Sequence, residues 1–392
     1  MGEILVNTTT AGLQYQPAVD STSSTDYMAV WTDRSTADIK GRVLTADGGS
    51  GGEEFTVNTP TPGEGNTNRQ WPTVADTGFS VVTAWIEEPF GVPPPRPQVK
   101  MQRFRHSTRT GPEIQVNTTD IDPSNRPTVT RMVDGGTVVV WTDSRPDRRI
   151  RAQRFDAEGN KAEAEFTVNA TEGFHSSPAV SILADGSYLV AWTTDPSAIG
   201  GGRLTFRFFA FDGTPRSGEI QPNVSGFQGA NSVTLLDNGR FVVAHVDRIA
   251  DSDLGVPQST VEASIFEADG TEATSLTAGS PQGFNRSWPA LAPLPGGRFL
   301  FAWVEKSATT FATVPTLMAK VCSDTQGSLA DKVQVNTAST GDRFQVSAAT
   351  AFGDGIETAF ICWADDNRAA GDPSEFAVRG RAFRIVPPGN LV

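Results

Sequence analysis

The chain has two cysteines, three histidines and three tyrosines in 392 residues, and no long apolar run. Two cysteines, Cys322 and Cys362, do not make a disulfide framework. Both fall in strand-like segments and read as buried free thiols, with a disulfide between neighbouring units as the alternative. His106, His175 and His245 stand in dissimilar contexts, which excludes a histidine metal centre and a Ser/His/Asp arrangement. No stretch reaches the roughly 18 apolar residues of a membrane helix. Apolar positions do not recur at i, i+3, i+4, i+7, so helices are not expected either. Positive charge is short: 32 Lys and Arg against 45 Asp and Glu leave a net charge of −13. That argues against a nucleic-acid partner. The one basic cluster, RPDRRIRAQR at 145–154, alternates with strand residues and is assigned to a hairpin.

What the chain has is glycine and proline, 38 and 26, spread over its length, and short runs such as TVVVWTD, FVVAHVD and FLFAWVE. Turn signals bound the runs, which is the pattern of strands. The runs end on a repeating anchor: Trp31, Trp85, Trp141, Trp192, His245, Trp303 and Trp363, at intervals of 54, 56, 51, 53, 58 and 60 residues. Such a period marks a repeat architecture.

The repeating unit is built on four strand candidates. The first is P-x-V, as in Pro17–Val19 or Pro72–Val74, with Pro expected as the first strand residue. An Asp-Gly or Asn-Gly turn follows, then the anchor strand, a third strand such as MQRF or AQRF, a Gly-rich turn, and E-[IF]-x-V-N-T. The units run over about 9–59, 60–118, 119–170, 171–224, 225–280, 281–337 and 338–385. The last lacks its fourth strand before PPGNLV, and EILVN, within residues 3–8, is expected to supply it. The expectation is therefore an all-β, seven-bladed β-propeller with four antiparallel strands per blade, closed by the N-terminal strand.

The pattern Q-x-P-x-V … D-G-x-F-V-V-x-W-x-D … A-Q-R-F-D-A-x-G … E-F-x-V-N-T resembles repeats of large secreted bacterial surface and haemagglutinin-like adhesin proteins. Residues 131–171 carry it best. The resemblance implies a propeller and an extracellular or cell-surface binding role, with no catalytic residues to carry over. Unit five departs most, with His245 for Trp and TSLTAG for the V-N-T strand. Met1-Gly2 leads straight into a strand without a signal-peptide pattern, which fits a cytosolic protein or, as we expect, one whose leader has been replaced.

An acid stands two residues after most anchors: Asp33, Glu87, Asp143, Asp247, Glu305 and Asp365, with Thr194-Asp195 in unit four. Repetition in nearly every unit favours structural caps, paired with third-strand bases such as Arg42, Arg103, Arg154, Arg207, Lys320 and Arg381. No metal or other cofactor is expected. The Ca²⁺ candidates ADSDLG (250–255) and ADDNRAAGD (364–372) match no calcium-loop pattern. Binding is assigned instead to the longer, dissimilar loops of one face and to the aromatics placed on them: Tyr15, Trp71, Phe174, Phe227, Phe284 and Trp288. The leading function is a non-enzymatic module binding a glycan or a protein. The alternatives are a polysaccharide-acting enzyme with carboxylates at the channel mouth, or a scaffold subunit.

Overall fold

A computed structural model describes the chain except residues 23–24, 61–66, 79, 90–95, 147, 196–201, 223–226, 250–257, 280–282, 309–313, 338–340, 354 and 367–375. The side chains of 227–231 and 248–249 are likewise not described. The fold is all-β and propeller-like, and no helix of the described residues is long and apolar enough to cross a membrane.

The expected count of seven four-stranded blades is corrected. The described strands form six hydrogen-bonded sheets: five stand alone, with three to five strands each, and the sixth has nine. The nine-stranded sheet joins two sequence units through a parallel bridge between Ser259 and Asn285. Sequence periodicity fixes where strands occur, but edge pairing between neighbours depends on how closely the units approach. In the three-stranded sheet the outer segment is reduced to a bridge between Phe206 and Ile220.

The anchor strands are central and buried along their length, for example Tyr27–Asp33 and Thr137–Thr142. Each packs both faces on neighbouring sheets, which explains runs of apolar residues without alternation. The six anchor tryptophans are fully buried. They bridge adjacent sheets, as Trp31 does among Val19, Ala351 and Phe360, and Trp141 among Ala84, Met101 and Val129. Truncating such a ring typically costs about 3–5 kcal/mol.

The chain ends meet in one sheet. Glu3–Leu5 pairs antiparallel with Ala377–Val386 in the register Glu3 to Arg381. A short C-terminal strand, Asn390–Leu391, adds to the far end of Ala377–Val386. The sequence reading had the chain stop without any such strand.

The E-x-x-V-N-T segments tie neighbours together. Glu54 accepts the backbone N–H of Thr8, Glu113 that of Thr59, Glu165 that of Thr118, Glu219 that of Ala170 and Glu3 that of Thr337. The motif asparagine closes its own sheet: Asn58 Oδ1 accepts Ile39 N, Asn117 accepts Val99 N and Asn7 accepts Val378 N, each at 2.8 Å.

The third-strand bases do not pair with the anchor acids as expected. They reach across to backbone carbonyls of the preceding outer segment: Arg42 to Val6, Arg207 to Val168, Lys320 to Thr277 and Arg381 to Val335. Arg103 likewise reaches a carbonyl, that of Ala157, and Arg154 pairs with Glu163. A long cation is needed here because the interblade carbonyl has no strand partner. The basic cluster at 145–154 is neutralised in place, with Arg145 on Asp143, Arg148 on Asp122 and Arg151 on Glu165.

Candidate functional site

In four units the innermost strand begins before the motif proline, not at it, while in unit three it begins after Pro127, at Thr128. Pro17 lies inside Gln14–Ser21, Pro72 inside Thr67–Asp76 and Pro289 inside Phe284–Leu294. In each of these strands the register slips at the residue pair ending in that proline, so the proline occupies a β-bulge. The residue before the bulge is left-handed: Gln16, Trp71, Ser177, Trp288 and Gln345 have φ between 53° and 56°. Non-glycine residues hold this conformation at a cost of about 1–2 kcal/mol each.

Three supports hold the bulges. Side-chain oxygens from one strand accept the bulge N–H of the next: Gln345 Oε1 from Gln16 N at 2.8 Å, Gln16 Oε1 from Trp71 N at 2.8 Å, and Asn125 Oδ1 from Ser177 N at 3.1 Å. Thr32 Oγ1 also donates to Gln16 Oε1. Two residues before the left-handed position, a buried cation meets the anchor acid directly opposite it. Arg69 reaches Glu87 at 2.7 Å, Arg286 reaches Glu305 at 3.2 Å and Arg343 reaches Asp365 at 3.6 Å. The anchor acids therefore do act structurally, but their main partners stand on the first strand. Where a third-strand base reaches them it is Lys100 or Arg379, registered opposite Trp85 and Trp363. In unit four, where Thr194 replaces the acid, His175 Nδ1 meets Thr194 Oγ1 instead.

The bulges open into a cavity of about 760 Å³ on the channel. One mouth carries Gln16, Trp71, Arg126, Ser177, Trp288 and Gln345; small residues such as Thr73, Ala179, Ser232 and Ser347 line the channel beyond it. Trp288 is 38% exposed, and Trp71 is partly buried. The second strands end and the third begin on this side, as the pairing of Thr67 with Pro89 shows, so it is the loop-rich face. Much of those loops lies outside the described residues.

The opposite end holds a second cavity of about 420 Å³ with Asp20, Asp76, Arg131, Thr350 and Phe352. Burial, reinforced by the like charge of Asp76, pushes Asp20 up to about 6 against hydrogen bonds from Asp76 N and Ser21 N. Burial also raises Asp76, opposed by Gly78 N and by Arg131.

Of the aromatics expected to bind, the structure brings together Trp71 and Trp288 alone. Tyr15, Phe174 and Phe284 do not line the cavity. Each is displaced along the strand from the cavity-lining bulge, and Phe284 packs on the cations of Arg286 and Lys332. The side chain of Phe227 lies outside the described residues. All six sit within strands, not on the loops where the sequence reading placed them. In unit seven the left-handed residue at the bulge is Gln345. Gln16, Gln345 and Arg126 were missed as site residues; the place of Gln16 and Arg126 immediately before the motif proline was the available signal, and unit seven has no such proline to mark Gln345.

Among the described residues no group of three or more His, Cys, Asp or Glu is placed to hold a metal, and ADSDLG with most of ADDNRAAGD falls outside them. Both cysteines are free and buried, and burial pushes Cys322 up to about 11 and Cys362 to about 12.

No family model and no curated protein matches the chain. Solved structures do resemble it. A polysaccharide lyase of family PL25, an ulvan lyase bound to -[GlcA(1-4)Rha3S]-, matches with a TM-score of 0.58 at 8% identity over 98% of this chain and 96% of that one. An α-L-arabinanase of Penicillium chrysogenum complexed with arabinobiose gives 0.51 at 10% identity over 97% of each chain. A protein of unknown function from Dyadobacter fermentans gives 0.54 at 12% identity over 78% of this chain and 94% of that one. At these identities the likeness is one of fold.

Proposed function

We propose that this chain acts on a polysaccharide, gripping it at the tryptophan-bearing mouth of the central channel. The observation that carries the reading is the ring of left-handed residues. Backbone strain at five positions converges on one cavity, and strain of this kind collects at functional sites. Trp71 and Trp288 offer flat apolar faces to sugar rings, while Gln16, Gln345 and Ser177 offer amide and hydroxyl groups. The Gln16 and Gln345 amide oxygens are engaged by backbone N–H groups; their Nε2 donors make no hydrogen bond among the described residues. Secretion or surface display belongs to the same proposal.

Cleavage, as opposed to binding alone, is favoured by the whole-chain likeness in fold to an ulvan lyase and an arabinanase. Asp20 and Asp76 are the carboxylates lining the described channel, and Asp20, with a pKa of about 6, can hold or release a proton near neutrality.

The experiment is a glycan array followed by calorimetry, with arabinan and ulvan assayed for new reducing ends and unsaturated products. Trp71→Ala and Trp288→Ala should each weaken binding by about 2 kcal/mol or more, with melting temperatures little changed. Products that vanish in Asp20→Asn support cleavage in the channel. Both tryptophan variants unfolding, with residual affinity intact, would make these rings packing elements and sink the site.

A further inference from the structure

Arg126 stands at the position that Trp71 occupies in the preceding unit, immediately before the motif proline and on the wall of the same cavity. Its side chain crosses toward the neighbouring strand, where Nη2 donates to Pro72 O at 2.9 Å. Nε is buried and has no hydrogen-bond partner among the described residues. No carboxylate pairs with it among the described residues. The other charged residues lining the cavity are Asp20, Asp76 and Arg131. Asp76 and Arg131 lie five residues further along the chain than Trp71 and Arg126, at most roughly 16 Å at a strand's rise. The thiol of Cys362 is the nearby titratable group, and burial keeps it neutral. Burial draws the Arg126 guanidinium down to about 10, still cationic at neutral pH.

The buried cations described here are mostly set against an acid, as Arg69 is on Glu87, Arg286 on Glu305 and Arg154 on Glu163, whereas Arg126 meets the Pro72 carbonyl alone among the described residues. A desolvated charge with one carbonyl and an idle Nε is expensive for the fold alone. A guanidinium fork matches the geometry of a carboxylate or a sulfate ester and donates two parallel hydrogen bonds to it. We infer that Arg126 selects glycans that carry an oxyanion, a uronate carboxylate or a sulfate ester, by binding that group beside rings stacked on Trp71 and Trp288. The inference rests on the glycan reading above and names its ligand class. The chain's net charge of −13 repels polyanions at long range, so any preference for them must be local.

The test is calorimetry with paired probes: polygalacturonate against its methyl ester, and dextran sulfate against dextran. Wild type should bind at least one charged probe about tenfold more tightly than its neutral partner, and which pair responds distinguishes carboxylate from sulfate. Arg126→Gln should bring charged and neutral probes to equal affinity, while Trp71→Ala weakens both. Arg126→Lys, which keeps the charge and loses the fork, should retain part of the preference; it also serves if Arg126→Gln is poorly folded. Equal binding of charged and neutral probes by wild type overturns the inference and leaves the glycan reading standing. So does a preference that survives in folded Arg126→Gln. Failure of wild type to bind any probe or arrayed glycan removes both.

Discussion

The side-chain oxygen of Gln16 accepts the backbone N–H of Trp71 at 2.8 Å, across 55 residues of sequence. The bond fixes the left-handed turn that presents the indole to the channel, and the same oxygen also takes the Thr32 hydroxyl. Gln16→Leu keeps the volume and removes the acceptor. We expect a loss of about 1–3 kcal/mol in stability from the stranded donors. Glycan affinity should fall as well, by less than in Trp71→Ala. Unchanged affinity in a destabilised Gln16→Leu would separate the relay from the site.

Removal of residues 1–8 should lower the melting temperature sharply. It takes away the Glu3–Leu5 pairing, the buried Val6 and the Asn7 cap on Val378 N. It also leaves the carbonyl acceptor of Arg42 missing and exposes a sheet edge. Thermal unfolding by circular dichroism measures it, and a melting temperature equal to that of the full chain would show the closure to be dispensable.

Glu165 links two sheets through Thr118, Thr119 and Arg151. Burial disfavours its charge, yet these hydrogen bonds outweigh burial and pull the carboxyl down to about 2. A depressed carboxyl contributes stability that is complete above its unfolded value of 4.5 and is lost as pH falls toward 2. Glu165→Ala should therefore cost about 3 kcal/mol at pH 7. The gap between variant and wild type should narrow in denaturant titrations below pH 4.5.

His245, at the position filled by tryptophan in the other units, is buried and meets Ser264 Oγ at 3.2 Å. Burial lowers it to about 4, so the unfolded chain takes up the proton first and stability declines as pH falls from 6.5 toward 4. His245→Gln keeps a polar head for Ser264 and does not titrate. Its stability deficit relative to wild type should shrink over that window, as followed by melting temperature.

Asp20 acts in the opposite sense. Its folded pKa lies above the unfolded 3.8, so its contribution is greatest below 3.8 and is lost as pH rises through about 6. Asp20→Asn should gain stability relative to wild type on going from pH 4 to pH 7. A difference that does not vary with pH would mean the carboxyl stays solvated at the channel end.

The repeat period, the all-β class, the buried tryptophans and the meeting of the chain's two ends were all legible in the sequence. Each follows from local patterning: turn residues at fixed offsets, apolar runs and a recurring large ring. Two of the six aromatics assigned to binding, Trp71 and Trp288, could be reached the same way, because their place before Pro72 and Pro289 is a matter of spacing. The bulge that turns them toward the channel could not be read. Local sterics push a residue before proline toward extended backbone, so Gln16, Trp71, Ser177 and Trp288 break the rule that sequence reasoning applies. Long-range contacts hold them there: Gln345 on Gln16, Gln16 on Trp71, Asn125 on Ser177, and the Arg286–Glu305 pair beside Trp288. Strand pairing between units was equally hidden, since the bridge of Ser259 to Asn285 depends on how close two units come and not on what either contains. The partners of the anchor acids were settled by register: Arg69 faces Glu87 because the bulge places it there, 18 residues away in the chain.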